Sequence, residues 1–258
     1  MQKERCEKNN KRGQVTMFII IAVIVVALIV GYSLLMGKNT VKIDSQFIFA
    51  KTSIDQCLSN ALLTSIYYTG LSGGYFENVP TPKFSYLGSS MPIYYSAKTN
   101  QSSVPSKTEM EKQLVLAVNN SLYMCLTNID SIKAQGFNLT VGNVKSIKVT
   151  ILENSVKADI DWPITISKVD KEQIISKFTA TTNFDLNTKY NIVNEFITDQ
   201  KANPESVLLE RLGELGITNK FEIETIDIDN NTMLYTFIFT NEKNNDADYI
   251  YAFGVEYA

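Results

Sequence analysis

An uninterrupted apolar run near the N-terminus constrains this chain more than any other feature. No residue from Met17 to Met36 carries a charge, and a helix needs about 20 such residues to cross a bilayer core. A secretory signal has a shorter apolar core and small residues ahead of its cleavage site, a pattern that residues 31–35 do not show. The run therefore predicts a retained transmembrane helix over residues 17–36, with the lipid bilayer as its partner.

Basic residues beside the run predict its orientation. Five Lys or Arg residues but only two Glu residues precede it. The positive-inside rule then makes residues 1–16 a cytoplasmic leader and places everything after residue 36 outside the cell. We therefore predict a cell-membrane protein with a cytoplasmic N-terminus. The basic residues are Lys3, Arg5, Lys8, Lys11 and Arg12.

The charge of the remaining chain bears on its partners. The leader takes five of the 24 basic side chains but only two of the 27 acidic ones, so the rest is more acidic than the overall charge of −3 indicates. No basic stripe remains to bind a phosphate backbone, and we expect no nucleic-acid partner. About 220 residues follow the run, enough for one large domain or two small ones.

Hydrophobic periodicity predicts an α+β ectodomain of amphipathic helices packed on antiparallel β-sheet. Apolar residues at three- and four-residue spacing predict a helix over residues 43–68. A capping box at Ser106 and Glu109 begins a second helix, which runs to about Ile132 with a cap at Gly136. Residues 77–105 contain four prolines and predict an irregular loop.

Alternation with a period of two predicts strands in the second half of the chain. Residues 144–152 and 156–167 form a predicted antiparallel hairpin, whereas residues 174–184 fit either strand or helix. The helix-then-hairpin order repeats, so the ectodomain divides into a first part, residues 37–169, and a second part, residues 170–258. Further predicted elements are helices near residues 190–197 and from Asn203 to Gly216, and strands over residues 221–228, 233–240 and 249–257.

Residues that could carry catalysis are few. The sequence has no His, which excludes Ser-His-Asp and Cys-His catalysis and His-ligated zinc. Asp159 and Asp161 lie about 7 Å apart on one strand face, near the separation of a glycosidase pair, but such acids are usually the solvated side of a strand. Asp227, Asp229 and Asn230 lack the Gly and final Glu of a calcium loop. We predict a non-enzymatic protein without catalytic, cofactor or metal site.

The extracellular cysteines allow one intramolecular pair. Cys57 and Cys125 each lie on the apolar stripe of a predicted helix, so their sulfurs can meet if those stripes face each other, and an oxidising compartment favours a disulfide. The alternative is two buried thiols that pack as small apolar groups. The candidate N-glycosylation sites are Asn100, Asn119, Asn138 and Asn230.

Tyrosines cluster between the first helix and the predicted loop. Tyrosine-rich loops suit contacts with proteins or glycans, and the alternative is that the rings fold back over the first helix. The residues are Tyr67, Tyr68, Tyr75, Tyr86, Tyr94 and Tyr95.

The stretch Arg12-Gly13-Gln14-Val15, followed at once by the apolar run, resembles the processing motif of archaeal class III signal peptides, which belong to type IV pilin-like proteins. The resemblance implies cleavage between Gly13 and Gln14, and an apolar helix that packs into a filament core. Many members carry Glu where this chain has Phe18, and residues 37–40 interrupt the continuous pilin helix.

Four longer stretches carry a second resemblance: "GQVTMFIIIAVIVV", "IDQCLSNAL", "MCLTNI" and "VKADIDWPITISK". They resemble stretches of uncharacterised single-pass surface proteins of small-genome archaea. This resemblance implies an archaeal source and the recurrence of both extracellular cysteines, and it supplies no activity. The leading hypothesis is a membrane-anchored extracellular protein with a binding, adhesion or structural role toward an unknown protein or glycan. The alternative is a self-assembling pilin-like subunit.

Overall fold

The computed structural model describes residues 23–26, 43–127, 130–240 and 247–258, without the side chains of residues 124–131. Residues 23–26 are helical and exposed. No helix within the described ranges is both long and apolar enough to cross a membrane. The leader, the processing residues Gly13 and Gln14, and the predicted span apart from residues 23–26 lie outside the described residues.

Residues Ile43–Ala258 form one compact unit, called the body here. It begins with a 3-10 turn, Ser45–Phe47, whose N-cap Asp44 accepts a hydrogen bond from the Gln46 amide at 3.2 Å. Helix α1, Ile48–Leu71, follows directly. The first predicted helix is therefore confirmed.

Only the Ser106 half of the predicted capping box forms at the start of the second helix. In α2, Lys107–Thr127, the Ser106 hydroxyl accepts a hydrogen bond from the Glu109 amide at 3.1 Å. The Glu109 carboxylate accepts a hydrogen bond from the side-chain amide of Gln113 at 3.0 Å. A short helix α3, Asp130–Ala134, comes next, and Gly136 adopts a φ of +79° as expected of a cap.

Two further helices precede the C-terminal strands. Helix α4, Leu186–Ala202, is capped by Asp185, which accepts a hydrogen bond from the Thr188 amide at 2.9 Å. Helix α5, Leu209–Asn219, begins six residues later than predicted. Asn203 follows the end of α4 instead of starting α5, because the Gln200 side-chain amide donates to the carbonyls of Asn203 and Ser206 and holds a turn there.

The larger sheet has six strands: β1 Lys83–Tyr86, β2 Ser89–Ser96, β3 Gln101–Ser102, β8 Glu222–Asp227, β9 Thr232–Phe239 and β10 Tyr249–Glu256. Their order is β1-β2-β10-β9-β8, with β3 paired to β2. Strands β2 and β10 run parallel, so the sheet is mixed, whereas an antiparallel sheet was expected. The predicted loop over residues 77–105 was wrong, since it contains β1 to β3. Pro92 is the last β2 residue paired with β1 and precedes those paired with β10, a position compatible with proline.

The smaller sheet has four antiparallel strands: β4 Asn138–Val141, β5 Ser146–Ile151, β6 Val156–Lys168 and β7 Lys171–Thr182. One side of β6 pairs with β7, and the other pairs first with β5 and then with β4. The predicted hairpin is confirmed, and the ambiguous residues 174–184 lie mostly in β7. The expected boundary between residues 169 and 170 falls in the β6–β7 turn, within this one sheet.

A single buried cluster joins the helices to both sheets. Helix α1 packs on β7 and on β10, α2 packs on β5, and α4 packs on β2. The fold is therefore α+β, with the helix layer in contact with both sheets.

Candidate functional site: the groove between the first two helices

Helices α1 and α2 lie against each other in opposite directions. The hydroxyl oxygens of Ser65 and Ser121 are 3.4 Å apart. Near the start of α2, the Gln113 side-chain oxygen accepts hydrogen bonds from the amides of Phe76 and Glu77, at 2.9 and 3.0 Å, just beyond the end of α1. Gln113 is buried, so this link fixes the segment after α1 to the second helix.

A hollow of about 420 Å³ opens between the two helices, and we call it the α1–α2 groove. Asn60, Thr64 and Tyr68 recur at every fourth position of α1, so they lie in one row along it. The groove contains amide, hydroxyl and aromatic groups but no charged side chain. Its lining residues are Cys57, Asn60, Ala61, Thr64, Tyr68, Phe76, Asn120 and Ser121.

Tyr68 separates this groove from a second hollow of about 310 Å³. Thr64 and Tyr68 line both hollows, and the second also contacts Leu63, Leu71 and Ala247. The Tyr67 hydroxyl donates a hydrogen bond to the Ala247 carbonyl at 2.8 Å and closes one end. The Tyr68 side chain remains 60% exposed, so its ring can stack on a ligand that enters either hollow.

Of the six tyrosines in the predicted surface, Tyr68 is exposed, and Tyr67 and Tyr86 are half-buried. Tyr75, Tyr94 and Tyr95 are buried, which agrees with the alternative that these rings pack inward. The Tyr94 hydroxyl donates to the Gly73 carbonyl at 2.7 Å and shares a 2.7 Å hydrogen bond with the Tyr251 hydroxyl. Burial raises the pKa of Tyr75 to about 12 and the pKa of Tyr94 well above its usual range.

The two acids considered for catalysis are paired with neighbouring side chains. The Asp159 carboxylate accepts hydrogen bonds from Lys157 at 2.8 Å and from Thr179 at 2.9 Å. Partial burial opposes ionisation of Asp159, but these hydrogen bonds outweigh it and keep its pKa below the usual value. The Asp161 carboxylate accepts from Lys177 at 2.5 Å. The arrangement is that of a polar strand face whose acids form ion pairs.

The acids near the β8–β9 turn hold the turn together. Asp229 accepts hydrogen bonds from the amides of Asn231 and Thr232, at 2.9 and 2.8 Å, and these lower its pKa. This confirms the hairpin-turn interpretation. Within the described ranges, His, Cys, Asp and Glu form no group of three or more that could hold a metal ion.

Of the two cysteines predicted to form a disulfide, the structure describes the side chain of only one. Cys57 lines the groove and is disulfide-bonded. Cys125 lies on the last turn of α2, but its side chain is outside the description, so the Cys57–Cys125 pairing stays a prediction.

All four sequons are exposed, on different elements. Asn100 adopts a φ of 51° between β2 and β3, Asn230 lies in the β8–β9 turn, Asn138 begins β4, and Asn119 lies on α2 beside the groove residue Asn120.

Sequence reasoning missed Asn60, Thr64, Phe76 and Asn120 as groove residues. The four-residue spacing of Asn60, Thr64 and Tyr68 was a usable signal, because it places these three side chains in one row along the helix. Comparison with known proteins adds no analogy, since no family model, curated protein or solved structure matches this chain. The functional argument therefore rests on the residues themselves.

Proposed function

We propose that this chain is a single-pass membrane protein whose body lies outside the cell and binds a partner without catalysis. The charge-free run from Met17 to Met36, preceded by basic residues, is the observation that carries the proposal. The disulfide-bonded Cys57 is in keeping with an oxidising compartment. The N-terminus is then cytoplasmic, and residues 17–36 bind the bilayer.

The α1–α2 groove is the proposed contact for this partner. An uncharged lining of amides, hydroxyls and aromatic rings suits a neutral glycan, because rings stack on sugar faces while Asn and Thr exchange hydrogen bonds with sugar hydroxyls. The lining has no charged side chain that could form an ion pair with a charged ligand.

Glycan-array binding by the full chain in detergent tests the groove. We expect Tyr68→Ala to abolish binding to any neutral glycan that the wild type retains. Tyr123→Ala is the matched control, since Tyr123 is an exposed α2 tyrosine (54% exposed) outside the groove lining. Equal binding by both variants would refute the assignment of the groove.

A pilin-like subunit is the second candidate, favoured by Gly13-Gln14 directly before the apolar run. Intact-protein mass spectrometry on native membranes separates the two. A chain that retains the leader supports the anchored surface protein. A chain that begins at Gln14 supports processing and assembly into filaments.

A further inference from the structure

The tip of the β6–β7 hairpin has a residue that the fold itself does not explain. Val169 is 91% exposed and adopts a φ of +54°. A β-branched residue is a rare outlier in this left-handed region, where tight turns usually place Gly, Asn or Asp. The body therefore presents an apolar side chain in a strained turn while burying almost none of it.

This tip lies at the end of the body where the chain enters from the N-terminal run. Lys171, two residues beyond Val169, forms an ion pair with Asp44 at 3.1 Å. Lys168 lies 4.3 Å from the centre of the Phe137 ring, which stacks on Phe49 at 6.4 Å between ring centres.

The neighbouring side chains at this end are also apolar and exposed. Ile48 and Phe49, in the first turn of α1, are 53% and 46% exposed. We call the set Ile48, Phe49, Lys168, Val169 and Lys171 the basal patch. Contacts through Asp44 and Phe137 connect its two segments.

The length of the connection limits how far the basal patch can lie from a membrane. Only six residues separate Met36, the end of the apolar run, from Ile43. Six residues span at most about 20 Å when fully extended. If residues 17–36 cross a bilayer, the start of the body therefore lies within that distance of its surface.

We propose that the basal patch rests on the bilayer that holds the anchor, with Val169, Ile48 and Phe49 in the headgroup region. The inference rests on the proposed membrane anchoring. Transfer of exposed apolar side chains from water to the acyl boundary is favourable. The aliphatic stems of Lys168 and Lys171 can lie beside them, with the ammonium groups extended toward water.

We expect burial of apolar side chains, and not attraction to anionic lipid, to stabilise this contact. Asp44, Asp170 and Glu172 lie beside Lys168 and Lys171 in sequence or in contact, so the charges around the tip nearly cancel. The basal patch should therefore bind neutral phosphatidylcholine vesicles and anionic vesicles alike.

A second hairpin tip supplies a matched control. Leu87 is 89% exposed and adopts a φ of +48° in the β1–β2 turn. Gly73, just past the end of α1, lies against Pro92 of the strand that follows this turn. The 24 residues of α1 span about 36 Å, and the five residues from Leu87 to Pro92 span at most about 18 Å. Leu87 therefore lies apart from the basal patch, which adjoins the start of α1.

The test uses the full-length chain and places one dye at either the β6–β7 turn or the β1–β2 turn. Val169→Cys and Leu87→Cys are made in a Cys6→Ser background, labelled with NBD and reconstituted into phosphatidylcholine vesicles with nitroxide-labelled headgroups. We expect quenching at position 169 to exceed quenching at position 87 by roughly threefold or more, because only an interfacial dye meets the nitroxide. The Cys6→Ser background without a new cysteine measures labelling of Cys57 and Cys125.

Alkaline carbonate extraction of the same vesicles separates the two proposals. Release of the protein would overturn both the anchor and the basal contact. Retention with equal quenching at both positions would overturn the basal contact alone. Retention with selective quenching at position 169, equal in neutral and anionic vesicles, is the result that the basal patch predicts.

Discussion

The two sheets of the body bury different kinds of side chain on their inner faces. In the six-stranded sheet, aromatic rings stack, with the centres of Tyr94 and Phe253 4.6 Å apart. The four-stranded sheet buries Val, Ile and Ala beside Phe178 and Trp162, whose indole N–H donates to the Gly142 carbonyl at 2.7 Å. An aromatic core with hydroxyls needs polar partners inside the protein, whereas an aliphatic core depends almost entirely on packing.

The outer faces differ as well. The six-stranded sheet carries a second apolar cluster, Met91, Leu234 and Ala252, on the face opposite its main core. The four-stranded sheet carries ion pairs on its outer face, such as Asp161 with Lys177. One sheet is therefore apolar on both faces, and the other is amphipathic.

The largest effect expected from a single substitution lies in the aromatic core. The Phe253 ring contacts the rings of Tyr94, Phe196 and Tyr235, among others. Phe253→Ala should lower the free energy of unfolding by about 3–5 kcal/mol, since it removes a fully buried ring and leaves a cavity. Denaturant titration measures this, with Ile166→Val as the control in the four-stranded sheet, expected to cost about 0.5–1.5 kcal/mol. A similar decrease in the free energy of unfolding in both variants would contradict the proposed difference between the two cores.

A disulfide between Cys57 and Cys125 would tie together the helix layer that contacts both sheets. The Cys57→Ser and Cys125→Ser variants should each lower the free energy of unfolding by about 2–4 kcal/mol, because the unfolded chain between the two cysteines is then no longer constrained. Non-reducing peptide mapping should recover the two cysteines in one linked peptide. A linked peptide that joins Cys57 to any other residue would show that the pairing is wrong.

High pH should distinguish the sheets because Tyr residues belong to only one of them. Burial raises the pKa of Tyr94 in β2 and of Tyr249 in β10 well above the ordinary 10. The folded state thus holds protons that the unfolded state releases above about pH 10, so stability is complete below that pH and falls above it.

Hydrogen exchange as a function of pH provides the measurement. We expect the amides of β2 and β10 to lose protection first above pH 10, while those of β6 and β7, strands without Tyr, stay protected longer. Tyr94→Phe should weaken the pH dependence. Simultaneous loss of protection in both sheets would mean that they unfold as one cooperative unit.

The contrast between the two sheets also explains which strands could be predicted from the sequence. The β5–β6 hairpin is amphipathic, so alternation of apolar and polar residues identified it. Strands β1 to β3 escaped detection because prolines and tyrosines obscure the alternation. The parallel pairing of β2 with β10 joins residues that are distant in the sequence, and no local pattern specifies it. The groove depends likewise on how α1 meets α2, so only the row Asn60, Thr64 and Tyr68 was visible beforehand.

The smallest effect is expected on the amphipathic sheet, where Asp159 and Asp161 lie. Asp159→Asn and Asp161→Asn should each change the free energy of unfolding by at most about 1 kcal/mol, because water screens their partly exposed ion pairs. The pKa of Asp159 is lowered in the folded state, so its contribution is present above the ordinary pKa of 3.8 and disappears as the pH falls below it. Thermal unfolding of wild type and Asp159→Asn should therefore differ at neutral pH and converge in acid. Divergence in acid, or a loss several times larger, would mean that this face is buried against something, and the four-stranded sheet would then resemble the six-stranded one.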